Sequence, residues 1–207
     1  MREAVIVDSG GANLASLTYA FERLNCRTII TADGSTIASA ERVVLPGVGA
    51  ARQAMARLRA AGLTNVLRTL TQPVLGICLG MQLLFRESEE GPTPCLGVLP
   101  DTVRKLQAAP GYPIPHMGWN QLELPDEPLA ARRPDPLLEG IGINEYVYFV
   151  HSYAARVSEF TLASTTHGGR LSAVIRRGNF WGTQFHPERS GKTGVRLLEN
   201  FLRIALC

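Results

Sequence analysis

The residue with the clearest chemical potential is Cys78, at the centre of Gly76-Ile77-Cys78-Leu79-Gly80. This segment has the Gly-x-nucleophile-x-Gly form of a sharp turn from a strand into a helix, with Cys at the nucleophile position. The helix N-terminus favours the thiolate, which is the reactive form of the side chain. The pattern predicts a nucleophilic cysteine exposed above the carboxyl edge of a sheet. The alternative is a buried structural cysteine at a strand end, since free Cys is among the most buried residue types.

A base for this nucleophile is available further along the chain. His186 and Glu188 follow an apolar, strand-like run at 180–185, which places them at a sheet edge as well. We predict that His186 acts as general base and acid and that Glu188 orients its ring, as in a Ser-His-Asp system. A His-x-Glu motif alone is weak evidence. Together with the cysteine elbow it makes a specific constellation.

The remaining cysteines lack such a context. Cys26, Cys95 and Cys207 show no metal-ligand or Cys-x-x-Cys spacing with each other or with Cys78. We predict that all three are structural.

Three other interpretations compete with a catalytic triad. Zinc deaminases also carry His-x-Glu, but they need a Pro-Cys-x-x-Cys motif that is absent here, so no metal is predicted. Gly191-Lys192-Thr193 resembles the end of a phosphate loop, but the first glycine of that pattern falls on His186, so Ser190 or Thr193 is instead predicted to cap the last helix. A non-enzymatic α/β interaction module remains open.

The composition is that of an ordinary globular protein. The chain has 207 residues, of which 45% are hydrophobic and 19% charged, and we expect a single domain over residues 1–207 that needs no disulfide or metal. A net charge of +3 is spread along the chain, and the pairs Arg132-Arg133 and Arg176-Arg177 are interpreted as solvated charge, so no nucleic-acid partner is expected. No apolar run reaches the roughly 18 residues of a membrane helix, and the start does not resemble a secretory signal. We therefore expect a cytoplasmic protein without a membrane partner.

The order of elements predicts an α/β fold. Apolar runs at 4–7, 28–30, 43–45 and 73–77 alternate with helical patterns at 14–24 and 50–70, which predicts a mainly parallel sheet with helices on both faces. Residues 86–115 are rich in Pro and Gly and are expected to form loops. Strand-like runs at 119–124, 146–150, 162–165, 171–175 and 180–185 predict an antiparallel extension, followed by a last amphipathic helix.

These residues resemble a known family. Gly76-Ile77-Cys78-Leu79-Gly80-Met81-Gln82 together with His186-Pro187-Glu188 is similar to the class I, triad-type glutamine amidotransferases, whose fold is flavodoxin-like. Further blocks resemble the glutaminase subunits of imidazole glycerol phosphate synthases, enzymes of histidine biosynthesis. Those blocks are Pro46-Gly47-Val48-Gly49-Ala50, His116-Met117-Gly118-Trp119-Asn120, Tyr148-Phe149-Val150-His151-Ser152-Tyr153 and Gln184-Phe185-His186-Pro187-Glu188-Arg189-Ser190.

The resemblance implies a reaction and a set of site residues. Cys78 would attack the carboxamide of glutamine and form a glutamyl thioester, with no cofactor. The oxyanion hole would use the N–H of Leu79 and an N–H from the segment with Val48 and Gly49. The residues implied to hold glutamine are Gly49, Gln82, Glu90, Ser152 and Tyr153.

The resemblance also implies a partner. In the family, ammonia passes to a (β/α)8-barrel cyclase in a heterodimer, and a barrel of about 250 residues does not fit into this chain. The implied interface residues are Asn13, Trp119, Tyr148 and Arg189, although core packing is the alternative for Trp119 and Tyr148.

The chain departs from the usual family pattern at four positions: Ser9 stands where Tyr is usual, Ala12 where Gly is, Ala51 where Phe is, and Arg189 where Lys is. Two further hypotheses stay open, a glutaminase for a different biosynthetic amidotransferase and a catalytically silent scaffold.

Overall fold

The structure is a computed structural model that describes residues 2–10, 14–124, 135–142 and 145–205. Its strands are β1 (Arg2–Val7), β2 (Cys26–Thr31), β3 (Val43–Leu45), β4 (Val74–Ile77), β5 (Phe85–Ser88), β6 (Thr93–Pro94), β7 (Leu99–Lys105), β8 (His116–Gln121), β9 (Tyr146–His151), β10 (Tyr153–Ala154), β11 (Thr161–Thr166), β12 (Arg170–Arg177) and β13 (Phe180–Thr183). Its helices are α1 (Leu14–Glu22), α2 (Gly34–Ser39), α3 (Ala51–Ala60), α4 (Leu63–Arg68), α5 (Leu79–Leu83) and α6 (Gly191–Arg203).

A seven-stranded sheet forms the centre of the molecule, in the order β11-β12-β13-β4-β3-β1-β2. Strands β13, β4, β3, β1 and β2 are parallel, whereas β12 and β11 continue the sheet in antiparallel pairing. The order of the parallel strands is that of a doubly wound, flavodoxin-like sheet. The predicted α/β class, the mainly parallel sheet and the antiparallel extension are confirmed. The run at 180–185 does not belong to that extension as predicted, because β13 pairs in parallel with β4.

Helices cover both faces of this sheet because its central strands are apolar on both sides. Along β1, Ala4 and Ile6 pack into a core with α1 and α6, whereas Val5 and Val7 pack into a second core with α2, α3 and α4. Successive side chains of a strand point to opposite faces, so a continuous apolar run is what a strand between two helical layers requires. Within the described residues, no helix is long and apolar enough to cross a membrane.

The expectation of loops over residues 86–115 is wrong for much of that segment. Strands β5, β6 and β7 join β10 in a separate four-stranded sheet, in the order β10-β7-β5-β6. These strands are short or charged, and their partners are distant in sequence: Glu87 lies opposite Thr102 and Tyr153 opposite Lys105. The third sheet is the antiparallel pair β8–β9.

The parallel topology brings three chain segments to one edge of the central sheet. Strands β3, β4 and β13 are direct neighbours, and Gly76 of β4 lies opposite both Leu45 of β3 and Gly182 of β13. Parallel strands end at the same edge. The segments that follow these three strands therefore meet there, and they contain Gly49, Cys78 and His186.

Candidate active site

Cys78 occupies the turn between β4 and α5 in an unusual backbone conformation. Its φ is 52° and its ψ is −110°, and besides Cys78 only Asn25 has a positive φ among the described non-glycine residues. A non-glycine residue in such a region is strained, and strain of this kind concentrates at functional sites. The N–H of Cys78 donates to the carbonyl oxygen of Thr183 at 2.7 Å, which fixes the elbow to the neighbouring strand.

Where the elbow packs against the end of β3, Gly80 and Gly47 leave no room for side chains. A Cβ on Gly80 would lie 1.8 Å from the carbonyl oxygen of Leu45, and one on Gly47 would lie 2.9 Å from the nitrogen of Gly80. Contacts below 3.0 Å would force the backbone to shift. The start of α5 can therefore sit against the end of β3 only because both positions are glycine.

The sulfur of Cys78 is less exposed than the elbow pattern predicts. The residue is only 7% exposed, because the carbonyl oxygen of Val150 and the side-chain amide of Gln184 both lie 3.8 Å from Sγ. The expectation of an exposed thiol is therefore wrong, since elements distant in sequence cover it. The thiol still lines a cleft through which a small substrate can reach it.

His186 and Glu188 form a buried pair beside this cysteine. Nδ1 of His186 lies 2.8 Å from Oε1 of Glu188, and both side chains are only 8% exposed. Because a carboxylate can only accept, Nδ1 carries the proton of this bond. Nε2 of His186 makes no hydrogen bond to the described residues, and the same is true of Oε2 of Glu188. The ring therefore keeps one nitrogen available on the side of the cleft.

The charge state of His186 depends on its two neighbours. Burial lowers the pKa of the ring, but interaction with the Cys78 thiol and the hydrogen bond to Glu188 outweigh it and raise the pKa to about 10. Catalytic contacts are often loose before substrate binds and tighten afterwards, which fits a sulfur that influences Nε2 without a well-formed hydrogen bond.

The backbone of His186 is held by the neighbouring strand β9. Its N–H donates to the carbonyl oxygen of Tyr148 at 3.0 Å, and its own carbonyl oxygen accepts from the hydroxyl of Ser190 at 2.7 Å. The same hydroxyl accepts from the N–H of Tyr148 at 3.0 Å. Ser190 precedes α6, but its side chain makes no capping bond there. Ser190 therefore occupies the predicted N-cap position of α6 but caps it without its side chain. Thr193 lies inside α6 and donates to Glu145 at 2.8 Å, so a capping role for Thr193 is wrong.

One cleft of about 420 Å³ collects most of the predicted site residues. Its lining contains Cys78, His186, Val48 and Leu79, as well as all five residues implied to hold glutamine, Gly49, Gln82, Glu90, Ser152 and Tyr153. It also contains Pro115, Val150 and His151. Glu188 is absent from this lining because it contacts the far side of the His186 ring.

The segment implied to form the oxyanion hole is anchored at both ends. Gly49 has a φ of +89°, which only glycine adopts without strain, and Val48 is exposed at the cleft. On one side, the buried hydroxyl of Ser9 donates to the carbonyl oxygen of Pro46 at 3.2 Å. On the other, Oε2 of Glu90 accepts the N–H of Ala51 at 2.7 Å, at the beginning of α3. Ser9 and Ala51 differ from the usual family residues, but the segment is still held by a hydrogen bond at each end.

Two of the residues near the sulfur were not singled out from the sequence. The side chain of Gln184 contacts Sγ, and His151 lines the cleft. Gln184 could have been found from its position two residues before His186, because side chains two positions apart in an extended strand lie on the same face. No such signal identifies His151, because its hydrogen-bond partner, His116, lies on another strand.

Three of the four predicted interface residues form one cluster. The rings of Trp119 and Tyr148 meet edge to face with centroids 6.1 Å apart, and the guanidinium of Arg189 lies 4.7 Å above the Tyr148 ring. Trp119 is 55% exposed, which excludes the alternative that it is a core residue. Asn13 and the departure at Ala12 lie outside the described residues.

The other cysteines are in unreactive surroundings. Burial raises the pKa of the Cys26 thiol, and it raises the pKa of the Cys95 thiol to about 11. Both are therefore protonated at neutral pH, which keeps them poor nucleophiles. Cys207 lies outside the described residues.

Comparison with known proteins agrees with this geometry. Residues 5–205 match the family described as class-I glutamine amidotransferase. The chain belongs to the class-I glutamine amidotransferase family. The predicted resemblance is confirmed at this level.

Relatives of this amidotransferase cover its whole length. It is 50% identical over 205 residues to the imidazole glycerol phosphate synthase subunit HisH of Xanthomonas axonopodis pv. citri, which is 99% of each chain. It is also 50% identical over 203 residues to the HisH subunit of Idiomarina loihiensis, or 98% of each chain.

Solved structures support the fold of the amidotransferase. A crystal structure of another glutamine amidotransferase superposes with a TM-score of 0.72 at 21% identity, over 96% of each chain. PurLQS from Thermotoga maritima superposes with a TM-score of 0.69 at 19% identity, over 97% of each chain.

Proposed function

We propose that this chain is the glutaminase subunit of an imidazole glycerol phosphate synthase and that Cys78, His186 and Glu188 hydrolyse glutamine. The observation that carries the proposal is that one cleft holds the strained Cys78 and the available nitrogen of His186, whose other nitrogen is bound to Glu188. The assignment to this synthase rests on full-length relatives that are HisH subunits.

In the first half of the reaction, the Cys78 thiolate attacks the side-chain carboxamide carbon of glutamine. A C–S bond forms and the carbonyl electrons move to oxygen. The imidazolium of His186 then gives its Nε2 proton to the amide nitrogen, the C–N bond breaks, and ammonia leaves a glutamyl thioester. The raised pKa of His186 keeps this proton in place at neutral pH until the attack has occurred.

In the second half, His186 is neutral and takes a proton from water through Nε2. The resulting hydroxide attacks the thioester carbon, and collapse of the tetrahedral intermediate releases glutamate and restores the Cys78 thiolate. Glu188 keeps the proton on Nδ1 throughout, so Nε2 is always the nitrogen that gives and takes protons.

The oxyanion of both tetrahedral intermediates needs hydrogen-bond donors. Leu79 and the segment with Val48 and Gly49 line the same cleft as the sulfur, from the two neighbouring strand ends. We assign their backbone N–H groups to the oxyanion hole, where one well-aimed donor lowers the barrier by about 3 kcal/mol.

The remaining cleft residues would position glutamine. Gly49, Glu90, Ser152 and Tyr153 surround the space next to the sulfur. Gln82 has a different part, because its amide already donates to the carbonyl oxygen of Tyr153 at 2.7 Å and to Gln184 at 3.0 Å. It holds the wall of the cleft in place rather than reaching for the substrate.

Ammonia released here must be captured before it reaches water, where it becomes protonated and loses its nucleophilicity. We assign this task to a (β/α)8-barrel cyclase subunit in a heterodimer. The exposed cluster of Trp119, Tyr148 and Arg189 is its docking surface, since partly exposed aromatic rings and Arg are typical interface anchors.

The decisive experiment measures ammonia release from glutamine with and without a cyclase from a HisH-containing synthase. We expect Cys78→Ala to abolish turnover while the fold is retained, and Cys95→Ala, a change at a cysteine outside the cleft, to leave it unchanged. Unimpaired turnover by Cys78→Ala would refute the triad.

The same assay separates the alternatives. No rise in rate with the cyclase would favour a glutaminase of another biosynthetic enzyme. Failure of a glutamine-derived chloroketone to label Cys78, even with the cyclase present, would favour a silent scaffold.

A further inference from the structure

Two buried histidines face each other across the β8–β9 pair, next to the cleft. His116 and His151 are directly opposite in the strand register, and Nδ1 of His116 lies 3.0 Å from Nε2 of His151. They are only 4% and 6% exposed. The chemistry assigned above uses neither ring.

Both rings are neutral at pH 7. Burial, helped by the nearby His167, lowers the pKa of His116 to about 4, and burial, helped by His116, lowers the pKa of His151 to about 3. A neutral imidazole has one donor nitrogen and one acceptor nitrogen, so the partners of each ring determine where its proton lies.

The hydrogen-bond partners of the two rings allow only one arrangement of their protons. Nδ1 of His151 lies 3.0 Å from the carbonyl oxygen of Tyr153, which can only accept, so His151 carries its proton on Nδ1. Its Nε2 must then accept from Nδ1–H of His116, which leaves Nε2 of His116 to accept from the side-chain amide of Asn120 at 3.2 Å. That amide nitrogen also donates to the carbonyl oxygen of Thr166 at 2.9 Å.

The ring of His116 is also clamped from both sides. Phe149 stacks on it with centroids 4.6 Å apart at 19°, and His167 stacks on it at 4.1 Å and 17°. A ring held in this way cannot swing to a different partner without breaking both stacks.

The chain of hydrogen bonds continues to the nucleophile. The carbonyl oxygen of Tyr153 receives a second bond, from Nε2 of Gln82 at 2.7 Å. The same nitrogen donates to Oε1 of Gln184 at 3.0 Å, and the amide nitrogen of Gln184 lies 3.8 Å from Sγ of Cys78. A connected path therefore leads from β8 to the sulfur.

We propose that His116 and His151 are positioning residues for glutamine turnover, which act through the Tyr153 carbonyl on the cleft wall and on Cys78. The proposal rests on the function proposed above. It assigns a role to two histidines that touch neither the reacting sulfur nor the triad. Strand β8, which begins with His116, also carries Trp119 of the docking cluster, so the path starts on the strand that meets the partner.

The test is a set of three variants, assayed for glutamine turnover in complex with the cyclase. His116→Phe keeps an aromatic ring between Phe149 and His167 but removes the donor to His151, and we expect kcat/KM to fall by about tenfold. His116→Asn retains a donor on a short side chain, and we expect it to recover at least half of the wild-type value. His167→Phe is the matched control, since the His167 ring stacks on the same ring and its one hydrogen bond to the described residues goes to the carbonyl oxygen of Pro113, and we expect no loss.

A direct measurement complements the kinetics. Nitrogen NMR of the imidazole rings in the wild-type protein should show Nδ1–H for both His116 and His151 at pH 7, and His116→Phe should change the tautomer signal of His151. The wild-type spectrum tests the predicted tautomers of His116 and His151 even if the variant does not fold.

The outcomes are distinct. Unchanged kcat/KM in His116→Phe, or an Nε2–H tautomer of His151 in the wild type, would overturn the positioning role while leaving the triad intact. An inactive wild-type complex would instead refute the proposed function.

Discussion

Replacement of Glu188 by Gln tests the triad most sharply, because it removes one charge and almost no volume. In the structure, Oε1 of Glu188 lies 2.8 Å from Nδ1 of His186, and Oε2 is buried without a hydrogen bond to the described residues. A glutamine at position 188 has two choices. Its oxygen can face His186, which leaves the amide NH2 buried without an acceptor, or its NH2 can face His186, which forces the proton of the ring onto Nε2.

The cost can be worked from this geometry. Two unit charges about 4 Å apart attract each other by about 4 kcal/mol at an effective dielectric constant of about 20, and Glu188→Gln removes this attraction to the imidazolium. A buried, unpartnered amide adds about 1–3 kcal/mol to the free energy of the folded state. If about 3 kcal/mol of this lost attraction is added to the activation barrier of glutamine hydrolysis, kcat falls by about a hundredfold.

The assay is glutamine turnover over a range of pH, with the free energy of unfolding measured in parallel. The pKa of His186 should fall in Glu188→Gln because a contribution that raises it is gone, so the pH profile should move to lower pH. Glu199→Gln is the control, because the ion pairs that Glu199 makes with described residues are those with Arg196 and Arg203 on the surface of α6. A kcat for Glu188→Gln within threefold of wild type, with a normally folded protein, would refute the orienting role.

Three further predictions concern stability, each measured by chemical denaturation. Gly80→Ala should destabilise the protein by at least about 3 kcal/mol, because its Cβ would lie 1.8 Å from the carbonyl oxygen of Leu45. Glu90→Ala should cost about 1 kcal/mol, since it removes the acceptor for the N–H of Ala51 at the beginning of α3. The free energy of unfolding should fall from pH 6.5 to pH 4, because the pKa of His116 is about 4 in the folded protein and 6.5 in the unfolded chain. The unfolded chain therefore binds more protons in this range, and His116→Phe should reduce the dependence of stability on pH.

The parallel half of the fold and the elbow at Cys78 could be predicted from the sequence because their signals are local. A buried parallel strand is a continuous apolar run, and the elbow at Cys78 joins such a run to a helix within five residues. The sequence assigned the strand before His186 to the antiparallel extension, and it is the structure that shows β13 parallel to β4, so that Cys78 and His186 reach the same edge.

The second sheet could not be predicted because it depends on pairing between distant residues. Strand β7 contains Pro100, Asp101 and two basic residues, and it becomes a strand only through β5 and β10. The same holds for His116 and His151, which lie 35 positions apart and meet only through the register of β8 and β9. Hydrophobic periodicity identifies strands but does not specify which residues of two strands stand opposite each other.

The two hydrogen bonds between β9 and the His186 segment have a mechanical consequence. The carbonyl oxygen of Tyr148 accepts from the N–H of His186 and its N–H donates to the hydroxyl of Ser190, while its ring lies under the guanidinium of Arg189. We expect a displacement of that ring to be passed to the backbone of His186 through a single residue. If His186 transfers protons as proposed, the surface cluster of Trp119, Tyr148 and Arg189 is separated from the proton-transfer group by the single residue Tyr148.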